Sequence, residues 1–451
     1  MKPYPLANHG SPLLLLALTG LSLPLQAALT PSEQELATAL TNACNALQGG
    51  VGEGGPINPP PFTAARNLVG ENNLRNACNA IRNADSRTAF EDAVKGFIPI
   101  QIPAQGTSSI EVSNRQFDNI TARMQALRSG ARGISTSGLS LQGFAPSDHL
   151  ATSGRLSGGS AGADETPLVG GLGVFINGSL STGDKDSSDS ELGFDFDTQG
   201  LTAGVDYRFS DKLIVGGAVG YVNNVTDFVS NRGDMGVDGY TLSLYATYYH
   251  DQHGYLDAIA SLGWNDFTTN RRVDPGSGIP AAIVSGDTQG TEYTLSVGGG
   301  YDFNRGGLSF GPFARVNYIS ADIDSYTENT STGFEFDYDD QSVQSLRTHL
   351  GAQLSYAIST SRGILSPQLR AEWAHEFQDD SRFITARFLN DPTQTQFSLH
   401  TDNPDRNFFN LGVGLTATFA EGRSAFLYYE KTLKERDLNQ ESIAAGVRLT
   451  F

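Results

Sequence analysis

Gln440-Glu-Ser-Ile443-Ala-Ala-Gly-Val447-Arg-Leu449-Thr-Phe451, the C-terminal stretch of this chain, places Ile443, Ala445, Val447, Leu449 and Phe451 on every second position. Small or polar residues, Ala444, Gly446, Arg448 and Thr450, stand between them. Successive side chains of a β-strand point to opposite faces, so this stretch has one apolar face and one wet face. A water-soluble sandwich could use one such strand. The same alternation returns in Leu172/Val174/Ile176, Leu201/Ala203/Val205/Tyr207/Phe209, Tyr240/Leu242/Leu244/Ala246/Tyr248 and Tyr293/Leu295/Val297. It returns again in Leu346/Leu350/Leu354/Tyr356, Leu365/Leu369/Ala371/Trp373 and Phe409/Leu411/Val413/Leu415. The pattern predicts about twelve strands, many long enough for the roughly 9–11 residues that cross a bilayer.

The connections between these strands sort by length. Tight turns fall at 210–212, 250–254, 304–307, 359–363 and 420–424, and long polar links at 182–197, 226–236, 270–287, 323–341 and 378–405. Short turns on one rim and long loops on the other are the signature of a membrane barrel, and aromatic residues near strand ends suit its interfacial girdles. With 451 residues, 51 Gly and 2 Cys, the chain offers no apolar run of about 20 residues beyond its N-terminus that could form a membrane helix. The formal net charge of -19 argues against nucleic acid as a partner. The fold class expected is an all-β membrane protein, an approximately 12-stranded antiparallel transmembrane barrel with a lumen helix, preceded by a small α-helical module.

Residues 1–27 read as a signal peptide: Lys2 gives the positive n-region, Leu13 to Leu18 the apolar core, and Ala27 a small residue for cleavage. Residues 28–109 form a small module with three helical patterns, on Leu36/Leu40/Ala43/Leu47, Leu74/Ala77/Cys78/Ile81 and Phe90/Val94/Phe97. Pro31 and Ser32 suit a helix start, with serine as the cap. Leu40-Thr-Asn-Ala-Cys44-Asn-Ala-Leu47 and Leu74-Arg-Asn-Ala-Cys78-Asn-Ala-Ile81 repeat one another, which predicts a helical hairpin closed by a Cys44–Cys78 disulfide. Pro99 to Thr107 reads as an extended linker. A helix follows over Ser113 to Arg132, within a pore-spanning segment 110–132, with Phe117, Ile120, Met124 and Leu127 on one stripe. Arg115, Arg123, Arg128 and Arg132 spread over its other faces, opposed by Asp118 and followed by Asn119. Inward strand positions include Asp206, Asp302 and Glu372, so a cationic helix inside an acidic lumen would be favourable. Residues 133–167 form a Gly/Ser-rich tether, and 168–451 the barrel.

The signal peptide, N-terminal segment, pre-barrel helix, twelve strands and terminal Phe451 together resemble the type V autotransporters. The resemblance covers roughly residues 110–451. It implies that residues 28–109 are a passenger displayed at the cell surface of a Gram-negative bacterium, joined to the barrel through the lumen helix. It also implies Val447, Leu449 and Phe451 as a C-terminal assembly signal, outer-membrane lipid as the environment, and the Sec translocon and the outer-membrane barrel assembly machinery as partners. A monomer and no cofactor are expected. The run Asp118-Asn119-Ile-Thr-Ala-Arg123-Met124-Gln-Ala-Leu127-Arg128 is similar to a helix that some family members cut between paired asparagines. Asp118 stands where the first asparagine supplies the nucleophilic amide, so the passenger is expected to stay attached.

An enzyme is not expected. Residues 28–99 contain no histidine, so no Ser-His-Asp set can be assembled there. Gly286-Asp287 is followed by Thr288 where an esterase motif needs serine. His375-Glu376 with Asp379 and Asp380 reads as a solvated loop edge, and the acidic runs 184–191 and 337–340 lack the spacing of a calcium loop. The expected function is anchoring and display of the chain's own N-terminal passenger. A plugged outer-membrane pore with a periplasmic module is the alternative, and a surface hydrolase a more distant one.

Overall fold

The computed structural model describes residues 29–48, 68–83, 86–128, 134–135, 172–251, 253–419, 424–435 and 438–448. The expected signal peptide, most of the tether, and Leu449 and Phe451 lie outside these residues.

Twelve long strands run in chain order: β1 Leu172–Lys185, β2 Phe194–Ser210, β3 Leu213–Phe228, β4 Gly233–Tyr249, β5 Gly254–Val273 and β6 Ala282–Tyr301, then β7 Leu308–Ile323, β8 Gln341–Tyr356, β9 Gly363–Glu376, β10 Asn407–Phe419, β11 Ser424–Leu433 and β12 Leu438–Arg448. Each pairs antiparallel with its neighbours, and β12 returns to β1 through Leu438↔Lys185 to Ile443↔Leu180. The sheet is therefore a closed barrel, which leaves no long open edge. Val447 is part of β12, opposite Ala425.

Apolar residues point out and polar residues point in. Leu201, Val205, Tyr207 and Phe209 of β2 are exposed while Thr202 and Asp206 between them are buried. That inversion of the usual rule means the outer surface meets lipid. Tyr240 and Tyr248 bracket the exposed face of β4, and Tyr293 and Tyr301 that of β6. Eight residues of tilted strand separate each pair, roughly 20 Å of membrane depth, close to the ~25 Å apolar band of outer-membrane barrels.

Above the long-loop rim sits a folded cap. Helices α1 Pro31–Gln48, α2 Leu68–Asn83 and α3 Arg87–Phe97 use the apolar faces read from the sequence, with Leu36, Leu40, Ala43, Leu47, Leu74 and Val94 all buried. The Cys44–Cys78 disulfide joins α1 to α2. The start of α1 differs from expectation: Thr30 is the cap. The Thr30 amide donates to Glu33 Oε2 at 2.8 Å and the Glu33 amide to Thr30 Oγ1 at 3.3 Å, a capping box. Ser32 is instead used by the partner surface.

That partner surface is the main departure from the sequence reading. The long links 323–341 and 378–405, expected as polar loops, contribute Tyr326–Thr327, Phe336–Tyr338, Phe383–Phe388 and Gln396–His400 to a four-stranded antiparallel sheet. Phe336, Tyr338, Ile384, Phe388, Phe397 and Leu399 share one hydrophobic core with Leu36, Leu40, Leu74, Val94 and Phe97. The edge strand Gln396–His400 would present open amides, and α1 satisfies two of them. The Ser398 amide donates to Glu35 Oε2 at 2.6 Å and the His400 amide to Ser32 Oγ at 2.9 Å. Gly96 lets α3 close against the backbone of Asp274 and Pro275, where any side chain would collide.

Helix α4, Ala104–Arg128, enters the barrel from beneath this cap. It begins earlier than the expected Ser113, and Pro99 to Pro103 make a turn instead of an extended linker. The first turns were hidden from hydropathy because their buried contacts are polar.

Candidate functional site

The site is the barrel lumen, where α4 is held by a graded set of contacts. Near the long-loop rim, Gln105 Nε2 donates to Tyr326 Oη at 3.3 Å and Gln341 Nε2 to Gln105 Oε1 at 2.7 Å. Midway, Ser113 Oγ donates to Glu292 Oε2 at 2.7 Å, and Asn265 Nδ2 donates to the same oxygen at 3.2 Å. Lower down, Asn119 Nδ2 donates to Thr202 Oγ1 at 3.0 Å, while Asn177 Nδ2 donates to the Asn119 carbonyl at 2.8 Å. Gln116 lies directly over Gly220 of β3, where a side chain would leave it no room. A donor or acceptor left unpaired here would lose its partner where water is scarce, so these bonds fix register more than they add raw stability.

Nearest the short-turn rim the contacts become apolar and charged. Phe117, Ile120 and Met124 of the expected stripe pack against Phe175, Ile214, Tyr245 and Ile259. Arg123, fully buried, meets Asp206 Oδ2 at 2.6 Å, with Tyr245 Oη donating to the same oxygen at 3.0 Å and Phe175 beneath the guanidinium at 5.1 Å. Arg123 of the helix and Asp206 of the wall are thus brought together as a buried ion pair. Arg115 turns to its own helix instead, pairing with Glu111 at 2.9 Å and Asp118 at 3.3 Å. The side chains of Leu127 and Arg128 lie outside the described residues.

The other inward acids have different settings. Glu372 is buried but serves the barrel wall: His349 Nδ1 lies 2.7 Å from it, Arg370 2.7 Å and Arg315 3.8 Å. Asp302 sits just past β6 at the short-turn rim, its amide bonded to the His253 carbonyl. His375 and Glu376, adjacent in sequence, take opposite faces of β9. His375 Nδ1 lies 2.9 Å from Asn407 Oδ1 outside, and Glu376 accepts from Ser345 and Arg347 inside. Asp379 pairs with Arg406, which holds its carboxyl below the usual range. The cluster is dispersed, and no catalytic set forms from it. Among the described residues no group of three or more His, Cys, Asp and Glu side chains is placed to hold a metal ion.

Two features were missed in the sequence. One is the buried Arg271–Glu328 pair at 2.7 Å, whose guanidinium also donates to the carbonyls of Phe97 at 3.2 Å and Phe334 at 2.9 Å. It ties β5 to α3 and to a cap loop. The other is a cavity of about 970 Å³ between α4 and the strands from β7 round to β1. At its outer end, burial pushes the Glu435 carboxyl up to about 7, opposed by Arg347 and reinforced by Asp405, Glu111 and Glu376.

A closed twelve-stranded barrel with an apolar outside and a helix through its lumen defines an outer-membrane β-barrel protein. The autotransporter β-domain signature matches residues 174–430, and the chain belongs to that family. Its place is the outer membrane of a Gram-negative bacterium. It is 28% identical over 283 residues to the esterase EstA of Pseudomonas aeruginosa, a match covering 61% of this chain and 42% of EstA. It is 30% identical over 205 residues to the probable autotransporter YpjA of Escherichia coli, covering 44% of this chain and 12% of YpjA. The chain thus spans well under half the length of these relatives. Among solved structures it is similar to the translocator domain of the autotransporter NalP from Neisseria meningitidis, with 17% identity, a TM-score of 0.49, and coverage of 62% of this chain and 89% of that one. The β domain of the Bordetella autotransporter BrkA gives 21% identity, a TM-score of 0.46, and coverage of 62% and 100%.

Proposed function

We propose that the barrel carries its own N-terminal segment to the cell surface and keeps it there as a folded cap, tethered through α4. The observation that supports this is the single hydrophobic core shared by α1–α3 and the sheet of the two long loops. A passenger destined for release has no need to complete the core of its own translocator. Retention also suits Asp118, whose carboxylate replaces the amide nucleophile expected of a self-cutting helix. Passage through the inner membrane by the Sec route, and recognition of Val447, Leu449 and Phe451 by the barrel assembly machinery, belong to the same proposal. An esterase activity like that named for EstA has little to work with, because residues 28–99 hold no histidine.

Lys95, exposed on α3 and the one lysine between residues 28 and 132, gives a direct test. A membrane-impermeant amine reagent added to intact cells is expected to label Lys95 on a chain that still carries the barrel. Labelling that requires a permeabilised outer membrane would support a periplasmic plug instead. A mature form cut near Asp118 would refute retention.

A further inference from the structure

We propose that one monovalent cation of sodium's size is held between β4, β5 and β6 beside the middle of α4, where it fixes the helix against the barrel wall. The reading goes beyond display and does not depend on which side of the membrane the cap faces. Two observations carry it, one of charge and one of geometry.

The charge is that of Glu292 on β6, which is 1% exposed. Its two hydrogen bonds, from Ser113 Oγ and Asn265 Nδ2, both end on Oε2, and both donors are neutral. The buried arginines of α4 and β5 are committed elsewhere, Arg115 to Glu111 and Asp118, Arg123 to Asp206 and Arg271 to Glu328. A carboxylate kept from water without a counter-charge is strongly unfavourable. The wall is short of one positive charge at this height.

The geometry supplies the place for it. Glu292 Oε1, Asn265 Oδ1 and Thr241 Oγ1 are buried, and among the described residues none of them has a hydrogen-bond partner. They come from three adjacent strands, β6, β5 and β4. Thr241, Gly263 and Glu292 stand in one row across the sheet, and Gly239, Asn265 and Gly290 in the next. The glycines leave gaps, and their neighbours lean into them. Oε1 lies 2.7 Å from the point where a Gly263 side chain would begin, and Oδ1 2.8 Å from the same point on Gly239. Gly263 is directly opposite Thr241, and Gly239 is two residues from it along β4, so both oxygens tilt towards the Thr241 hydroxyl. Val112 of α4 lies over Gly239 and covers the spot from the lumen.

Carboxylate, amide and hydroxyl oxygens are ligands for hard cations. A single charge balances the single carboxylate, whereas calcium would leave a surplus and find far fewer than the roughly 6–8 oxygens it takes. A water would satisfy the three oxygens and leave the charge standing. Because α4 contributes both Ser113 and Val112, the bound ion and the seated helix stabilise one another.

Full-length protein in detergent, exchanged into choline chloride to remove sodium, tests this through the temperature at which the compact barrel converts to its extended form on a gel. Replacing choline by sodium at constant ionic strength is expected to raise that temperature by several degrees, in proportion to the logarithm of the sodium concentration once the site fills. Glu292→Gln keeps the shape and loses the charge, and Thr241→Val loses one ligand. Each should remove most of the rise, and Asp287→Asn, exposed on the outer surface of β6, should keep it. Equal temperatures for the wild type in sodium and choline overturn the proposal and leave a water or a proton in the site. So does a compact Glu292→Gln variant that keeps the wild-type rise, or a rise that calcium produces and sodium does not. Should Glu292→Gln fail to form the compact barrel, Thr241→Val decides in its place. Lys95 labelling reports the side that the cap faces and is blind to sodium, so the two readings fail separately.

Discussion

Replacing Arg271 by alanine is expected to open the cap while leaving the barrel intact. The side chain is fully buried at the outer end of β5, with two contacts to Glu328, Nε at 2.9 Å and Nη2 at 2.7 Å. It also holds the carbonyls of Phe97 and Phe334 and lies 4.6 Å above the Phe336 ring. Truncation strands the Glu328 carboxylate with only the Phe336 amide and the Tyr338 hydroxyl as partners. Leaving one member of a buried ion pair uncompensated costs about 3–5 kcal/mol. If that cost falls on cap closure, the open population rises roughly 150- to 5000-fold at about 1.4 kcal/mol per decade. The assay is limited proteolysis of purified protein in detergent, scoring cuts in α3 and in segment 324–340. The compact, heat-modifiable band of the barrel should persist. Arg271→Met combined with Glu328→Gln removes the charges together and should restore most of the protection. Lys431→Ala breaks a solvent-screened pair with Glu441 and should leave the protease protection of the cap as it is in wild type. Equal protease sensitivity in Arg271→Ala and wild type, or in Arg271→Ala and Lys431→Ala, would refute the reasoning.

Further outcomes follow from the same contacts. Cys44→Ser opens a loop with a sequence separation of 34 and should cost the cap about 3–4 kcal/mol in the chain-entropy account, read as faster proteolysis of α1 and α2 that reductant reproduces in wild type. Arg123→Ala leaves Asp206 buried with the Tyr245 hydroxyl but without a counter-charge, a loss of about 3–5 kcal/mol at the inner anchor of α4, and should raise single-channel conductance as the helix loosens. Glu435 binds its proton more tightly in the folded protein, about 7 against an ordinary 4.5. Its burial is therefore free of penalty below about pH 4.5, and stability falls as pH rises to 7, by up to about 3 kcal/mol. Glu435→Gln should raise the melting temperature of the compact form at pH 8 and leave it unchanged at pH 4.5. Asp118→Asn restores paired asparagines in α4 and should yield a shorter mature chain on a gel.

The barrel was legible because lipid enforces a strict rule on every strand, apolar outward at period two. The helices of the cap were legible for the related reason that each buries one stripe. The cap as a unit was not. Phe336, Phe388 and Phe397 stand in short alternating runs (Phe334/Phe336/Tyr338, Ile384/Ala386/Phe388, Phe397/Leu399) that read as strands, but the runs lie in links far apart in sequence and nothing local says that they converge. The start of α4 escaped notice because Gln105, Ser109 and Ser113 are buried through hydrogen bonds, which leave no hydropathy trace. Arg271 and Glu328 stand 57 positions apart, and either reads as a solvated loop charge until the fold joins them.

The cap is assembled from one stretch of chain before the barrel and three within it, and that imposes an order of events. Its four-stranded sheet cannot complete an edge until Ser32 and Glu35 arrive, and α1 has no apolar ground to rest on until both links have left the lipid. The cap therefore closes only once the chain has been made as far as Gln396–His400, the N-terminal helices coming to lie on links from the second half of the chain. A chain halted midway would show raw sheet and greasy helix faces to proteases, so the cap doubles as a proof of completion.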